Sequence, residues 1–286
     1  MLDIGAILGR HADDAGLLTA AQRRAVADLS ACQTAALGGR LEQCSACGRQ
    51  EYRYNSCRNR HCPRCQGSRR AAWLEREAEC LLPVEYHHVV FTLPSGLAEL
   101  ARRRPRLVYG LLFASASAAV LELAAQPKYL GARPGLVAVL HTWGQTLSLH
   151  PHLHVLATGG GLSCDCRGAV DDVPVWRSCR PGFFLPVRVL SRLFRGKYLA
   201  GLRQALAAEA DLASPAAWPS LLADLSGQEW VVYSQPPAAG PAVVLKYLAR
   251  YVHRVAIGNS RLVSATEKAV TFTYKDYRRG GRQKEL

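Results

Sequence analysis

His150-Pro151-His152-Leu153-His154-Val155 places three imidazoles at alternate positions. Successive side chains of an extended strand point to opposite faces, so the histidines share one face while Leu149, Leu153 and Val155 share the other. Imidazole is the commonest metal ligand, and two histidines two residues apart on a strand reach one cation with little ordering. Alone, the pattern more often marks histidines satisfied at a sheet edge. A second group is Cys44-Ser-Ala-Cys47 followed by Cys57, His61, Cys62 and Cys65. Two C-x2-C pairs separated by a short basic loop match a zinc ribbon or knuckle, in which four thiolates complete a tetrahedron. Cys44, Cys47, Cys62 and Cys65 are the expected ligands, and Cys57 with His61 forms a further C-x3-H unit that can replace a thiolate or support a second ion. A third group is Tyr247 and Tyr251, four residues apart on a helical stretch and hence side by side. Winding that stretch at 100° per residue sets Leu245, Leu248, Ala249, Val252 and Val255 on one face and both phenols away from its centre. Arg250 and Arg254 flank the phenols, an arrangement suited to a phosphate; an ordinary amphipathic edge would look the same.

Charge narrows the partner. Lys and Arg outnumber Asp and Glu by 36 to 22, a formal net charge of +14, and counterion release rewards a protein of this sign for each nucleic-acid phosphate it neutralises. The surplus is dense around the cysteines, where Arg58, Arg60, Arg64 and Arg69 follow Tyr52 and Tyr54: guanidinium groups for phosphates, aromatic faces for bases. No apolar run approaches the roughly 18 residues that span a bilayer, and Met1–Arg10 lacks a secretory pattern. The expectation is a cytoplasmic protein without membrane partners, whose ten cysteines are ligands or buried thiols. Cys164, Cys166 and Cys179 fit no ligand spacing.

The elements that must position these groups read as follows. Leu17–Leu37 is a helix with Thr19 as N-cap and Gly38-Gly39 as its stop, and Ala71–Leu82 is a second, ended by Pro83. Tyr86–Leu93 and Leu136–Thr142 are strands flanking a helical stretch, Leu97–Ala125, that breaks near Pro105. The histidine strand runs into Gly159-Gly160-Gly161, read as a loop. Phe183–Val189 is a short strand, Leu190–Ala210 and Ala216–Leu225 are helices, Trp230–Ser234 is a strand, and Val263–Tyr274 is a hairpin. The domain boundary falls at 82/83: residues 1–82 form a helical and zinc-binding module, 83–286 a second domain.

Together, YNSCRNRHCPRCQ (54–66), HTWGQTLSLHPHLHVLATGGGL (141–162) and YLARYVHRVAI (247–257) resemble the two-tyrosine rolling-circle insertion-sequence transposases of the HUH endonuclease superfamily. The resemblance implies an α+β fold, an antiparallel sheet with packed helices whose central strand bears the histidines, preceded by the small zinc-binding domain. It places the His-hydrophobic-His motif on His152 and His154 and the nucleophiles on Tyr247 and Tyr251, with Mg or Mn as the catalytic ion. His150, His87, His88 or His253 would be its third ligand; His253 lies round the helix from both tyrosines. Arg250, Arg254 and Lys246 would clamp the phosphate of single-stranded DNA. Family members run past residue 286, so the resemblance also implies a chain shortened at its C-terminus. A replication initiator or relaxase with the same chemistry, and a non-catalytic zinc-dependent DNA-binding protein, are the alternatives.

Overall fold

The computed structural model describes the chain apart from residues 1, 13–15, 17, 164–172, 209–216, 239–242, 244–251, 253–254 and 277–278. It divides into two compact units. The first comprises residues 1–77, 145–148 and 252–286, the second residues 78–144 and 149–251. The division differs from a single break at 82/83 because the C-terminal segment packs with the N-terminal one: the Asn259 side chain accepts from the Ile4 N–H at 3.1 Å and donates to Asp3 Oδ2 at 2.6 Å.

The first unit opens with α1 (Ile4–Arg10) and α2 (Ala20–Ala31). Thr19 caps α2 as expected, in a reciprocal capping box with Gln22. The two helices meet where α1 has no side chains: a Cβ on Gly5 would lie 2.3 Å from the Leu29 carbonyl oxygen. The hairpin of β1 (Gly39–Gln43) and β2 (Gln50–Tyr54) follows, exposed along nearly its whole length. Helix α3 (Gln66–Ala78) starts five residues earlier than the expected 71 and ends before Pro83.

The second unit is built on an antiparallel sheet in the order β4 (Ala132–Trp143), β5 (Leu149–Ser163), β3 (Tyr86–Thr92), β7 (Val232–Ala238), with β6 (Trp176–Ser178) pairing the far end of β5. The histidine strand is therefore internal. Helices α4 (Ala98–Arg103), α5 (Pro105–Ala125), α6 (Val187–Ala208) and α7 (Ala217–Gly227) accompany it. Leu153, Val155 and Ala157 of β5 join Val89 and Phe91 of β3 in a core closed by Leu112, Ala116 and Val120 of α5 and by Leu190, Phe194 and Leu202 of α6. Tyr198 is buried in it and donates its hydroxyl to the Val108 carbonyl at 3.3 Å. Contrary to expectation, α5 is long and apolar enough to cross a bilayer; in this fold Val108, Leu112, Val120 and Leu123 of its buried face pack into the core.

Two expected elements come out differently. Phe183–Val189 is not a strand: Phe184 and Leu185 are buried in an irregular segment, and α6 starts at Val187 directly after Pro186, whose fixed φ favours a helix start. Gly159–Gly161 is not a loop but part of β5. A Cβ on Gly161 would stand 2.4 Å from Arg133 backbone, one on Gly160 2.6 Å from the Arg177 carbonyl, and one on Gly159 2.8 Å from the Glu85 carbonyl. The glycines admit neighbouring backbones rather than a ligand.

In the first unit β8 (Leu262–Ala265), β9 (Val270–Asp276) and β10 (Arg282–Glu285) form an antiparallel sheet. The expected hairpin is its β8–β9 pair, turned by Thr266–Ala269.

Candidate metal centres

Strand pairing assembles the histidine site. His152 and His154 alternate with Leu153 and Val155, which the core holds at 0% exposure, so both rings are forced to the opposite face. In the β4–β5 register His141 lies opposite His152. One ring nitrogen from each of His141, His152 and His154 lies within 4.8 Å of the other two, and the His141 and His154 ring centroids are 4.5 Å apart. Three convergent imidazoles fit a divalent cation.

Hydrogen bonds indicate which nitrogen of each ring carries the proton. His152 Nδ1 lies 2.7 Å from the His150 carbonyl, which can only accept, so Nδ1 carries the proton and Nε2 keeps its lone pair. His88 Nδ1 faces Gln235 Oε1 at 3.3 Å, and His88 Nε2 faces His154 Nδ1 at 2.9 Å. With Gln235 accepting from His88, and His88 in turn accepting from His154 Nδ1, the lone pair of His154 is on Nε2. Burial pushes the His88 imidazole down to about 4, against a smaller upward pull from its bond to Gln235, and keeps it neutral for this role. His150 lies on the same face, exposed at the start of β5 and outside the group of three, and its carbonyl meets His152 Nδ1. His87 points to the other face and stacks on Phe184 at 5.0 Å. His141 and Gln235 were missed by sequence reasoning, His141 because only the hairpin register sets it against His152. Replacing His88 by alanine, which removes the partner of His154 Nδ1, is expected to weaken whatever affinity the trio has for added Mn by about 10- to 100-fold. Calorimetric titration of Mn into the two proteins checks this.

The cysteines gather differently from their spacing. Cys32, Cys57, Cys62 and Cys65 hold their sulfurs within 4.8 Å of one another, and Cys57 Sγ and Cys65 Sγ are 3.8 Å apart. A tetrahedral zinc with Zn–S near 2.3 Å requires S···S edges of about 3.8 Å, so the quartet fits zinc. Backbone N–H groups of Cys57 and Asn59 approach Cys32 Sγ and Cys57 Sγ at 3.5 Å each. Burial raises the Cys65 thiol to about 11 and drives Cys32 higher. Cys62 is desolvated too, yet hydrogen bonds from the Cys65 and Arg64 backbone and from Cys32 and Cys57 hold it below the ordinary thiol value.

Cys44 and Cys47 stand outside this cluster, exposed between β1 and β2. Their turn closes by its own bonds, Gly48 N–H to the Cys44 carbonyl and Cys44 N–H to the Arg49 carbonyl, both at 2.9 Å. His61 is exposed and lines an apolar cavity. Cys32 was missed; it sits at the C-cap of α2 with no C-x2-C partner to mark it.

Of the arginines expected to meet DNA, Arg58, Arg60 and Arg69 are exposed. Arg64 is a correction. Its guanidinium grips both carboxylate oxygens of Asp3 at 2.8 and 2.6 Å and also donates to the Cys32 carbonyl, tying α1 to the cysteine module. Asp3 is partly desolvated, which raises its pKa, but bonds from the Ala6 N–H, Arg64 and Asn259 hold it below the usual carboxylate value. Tyr247, Tyr251, Arg250, Arg254, Lys246 and His253, like Cys164 and Cys166, lie outside the described residues.

Residues 135–286 match a family model described as "Putative transposase", and residues 8–93 match one described as "Transposase zinc-binding domain", of the IS91 type. The chain belongs to the IS91/IS801 family of transposases. This transposase is 50% identical over 277 residues to "Putative transposase y4qJ" of Sinorhizobium fredii, covering 94% of the chain and 68% of that relative. It is 29% identical over 281 residues to the "Transposase for insertion sequence element IS801" of Pseudomonas savastanoi pv. phaseolicola, covering 96% and 66%. The chain thus spans about two thirds of the length of these relatives. No solved structure matches it.

Proposed function

We propose that this transposase nicks and joins single-stranded DNA through a 5′-phosphotyrosine intermediate, in rolling-circle transposition. The observation that carries the reading is the convergence of His141 of β4 with His152 and His154 of the internal strand β5 on one face of the sheet, in a member of a transposase family. In this reading His152 and His154 would offer Nε2 and His141 the third imidazole, and a Mg or Mn ion held there would polarise the scissile phosphate.

The reaction proposed for the protein's own groups balances without ATP. The phenol oxygen of Tyr247 or Tyr251 attacks phosphorus and loses its proton. The bond from phosphorus to the 3′ oxygen breaks, and a 3′-hydroxyl leaves. In the joining step a 3′-hydroxyl attacks the phosphotyrosyl phosphorus and returns the phenol. A free phenol titrates near 10, so the attacking group needs activation at neutral pH. Arg250, Arg254 and Lys246 are proposed to hold the phosphate, and the exposed Arg58, Arg60 and Arg69 of the zinc-binding region to hold flanking DNA. Zinc, in the Cys32, Cys57, Cys62, Cys65 quartet, is structural. The cell compartment proposed is the cytoplasm, at the DNA.

The test is incubation with end-labelled single-stranded oligonucleotides carrying insertion-sequence ends and Mn, resolved on a denaturing gel. A labelled species at protein size is expected, and His141→Ala or His152→Ala should lower its yield at least about 100-fold. Cut DNA without the protein-sized species would replace this reading by hydrolysis, and intact DNA would leave a DNA-binding protein.

A further inference from the structure

The β8–β10 sheet has two unlike faces. Leu262, Val270 and Phe272 line a cavity of about 330 Å³ with Ile7 and Leu29 of the helices, and this side is apolar. A second cavity of about 370 Å³ is lined by Gln145, Ser260, Arg261, Thr273, Lys275 and Gln283, among others, and contains no carboxylate. Lys275 and Gln283 are directly paired across β9 and β10, which sets an ammonium beside an amide. The neighbouring acid, Asp276, is engaged by Lys284 at 2.8 Å. Arg282, on the same hairpin, is exposed.

The floor of this cleft is fixed by Arg261. Its guanidinium donates to the Thr273 carbonyl at 2.7 Å, the Ala256 carbonyl at 3.3 Å and the Gln145 carbonyl at 2.6 Å. The 145, 256 and 273 backbone segments are thereby held by one planar group, whose fork geometry a lysine would not reproduce. Gln145 is held again by its side chain, whose Oε1 accepts from the Lys275 N–H at 3.5 Å. A concave, polar, pre-ordered cleft of small-ligand size, with a cation at its mouth, spends little binding free energy on ordering.

We propose that this cleft is a subsite for one unpaired nucleotide of the DNA strand: Lys275 takes a backbone phosphate and the Gln145 and Gln283 amides meet the base edge. The chemistry is that of amide recognition of bases and ammonium recognition of phosphate. The strand is single because a stacked, paired base cannot enter a concave cleft without being extruded. The inference rests on the reading of the protein as acting on DNA, but not on the tyrosine chemistry.

The experiment measures fluorescence anisotropy of labelled 12-nucleotide single strands with the full chain, without added Mn, across a salt series. Lys275→Ala is expected to raise Kd about 3- to 10-fold and to flatten the slope of log K against log salt by about 0.7, the value for one lost single-strand phosphate contact. Gln283→Ala should raise Kd unequally for dA-rich and dT-rich strands with the slope unchanged. Melting curves that match the parent protein confirm that these exposed positions leave the fold intact. Unchanged Kd and slope in both variants would overturn the proposal, as would an equal loss on duplex DNA, which would make Lys275 a general duplex contact. Because the readout is binding without metal, absence of the protein–DNA adduct would sink the tyrosine reaction and leave this subsite standing, and the reverse also holds.

Discussion

Tyr247→Phe combined with Tyr251→Phe is expected to abolish the covalent protein–DNA species, a fall of at least about 1,000-fold, while single-stranded DNA is bound within about two-fold of the parent affinity. Phenylalanine removes only the two hydroxyl oxygens and keeps ring volume and helix preference, so packing and charge are nearly unchanged. What is lost is the atom proposed to bond to phosphorus. The single variants divide the work. If the phenols act in alternation, each should still yield an adduct on an oligonucleotide carrying one cleavage site, and each should fail to join two ends. Peptide mapping of the labelled adduct reads the position directly. An adduct that survives in the double variant would assign the nucleophile elsewhere, and would detach the histidine site from the YLARY segment.

The histidine strand was legible in the sequence because its signal is local. Period-two alternation over Leu149–Val155 fixes which rings share a face, and core burial of Leu153 and Val155 enforces it. His141 was not legible for the complementary reason. Its place opposite His152 depends on a hairpin whose register shifts between His141 and Trp143, and a shift of one residue would have sent its ring to the other face. The quartet of cysteines fails the same way. Spacing reports tight turns, and Cys44-Ser-Ala-Cys47 makes one, with Gly48 at a φ of +70°; which turn approaches which is a matter of packing. Cys32 reaches the site because α2 ends against the 57–65 loop, where Asn59 binds Asp28 at 2.9 Å and its carbonyl accepts from the Gln66 amide at 2.7 Å. Likewise no periodicity joins Asn259 to Asp3. The long elements of the second unit were readable, whereas the β1–β2 hairpin and the strand character of Gly159–Gly161 were not.

Removing zinc is expected to unfold the N-terminal cysteine module outright rather than loosen it. The apolar cluster there consists of Leu29 and the buried cysteines, with Ile4, Leu8 and Cys57 at its edge, and the adjoining β1–β2 hairpin buries none of its residues fully. A cluster of that size contributes a few kcal/mol at most, whereas a structural zinc with thiolate ligands contributes about 10–16 kcal/mol at neutral pH. Metal therefore dominates the stability of this module. Chelation should abolish its cooperative thermal transition and weaken DNA binding, and restored zinc should return both. The two candidate ligand sets make opposite forecasts. Cys32→Ser with Cys57→Ser should lose the ion and the transition together, because both sulfurs belong to the buried quartet. Cys44→Ser with Cys47→Ser should retain the quartet's ion, since that exposed turn closes on its own backbone bonds. Zinc content measured per chain after dialysis, alongside the melting curve, decides between them: loss of the transition in the second variant and not in the first would return the site to the paired C-x2-C arrangement.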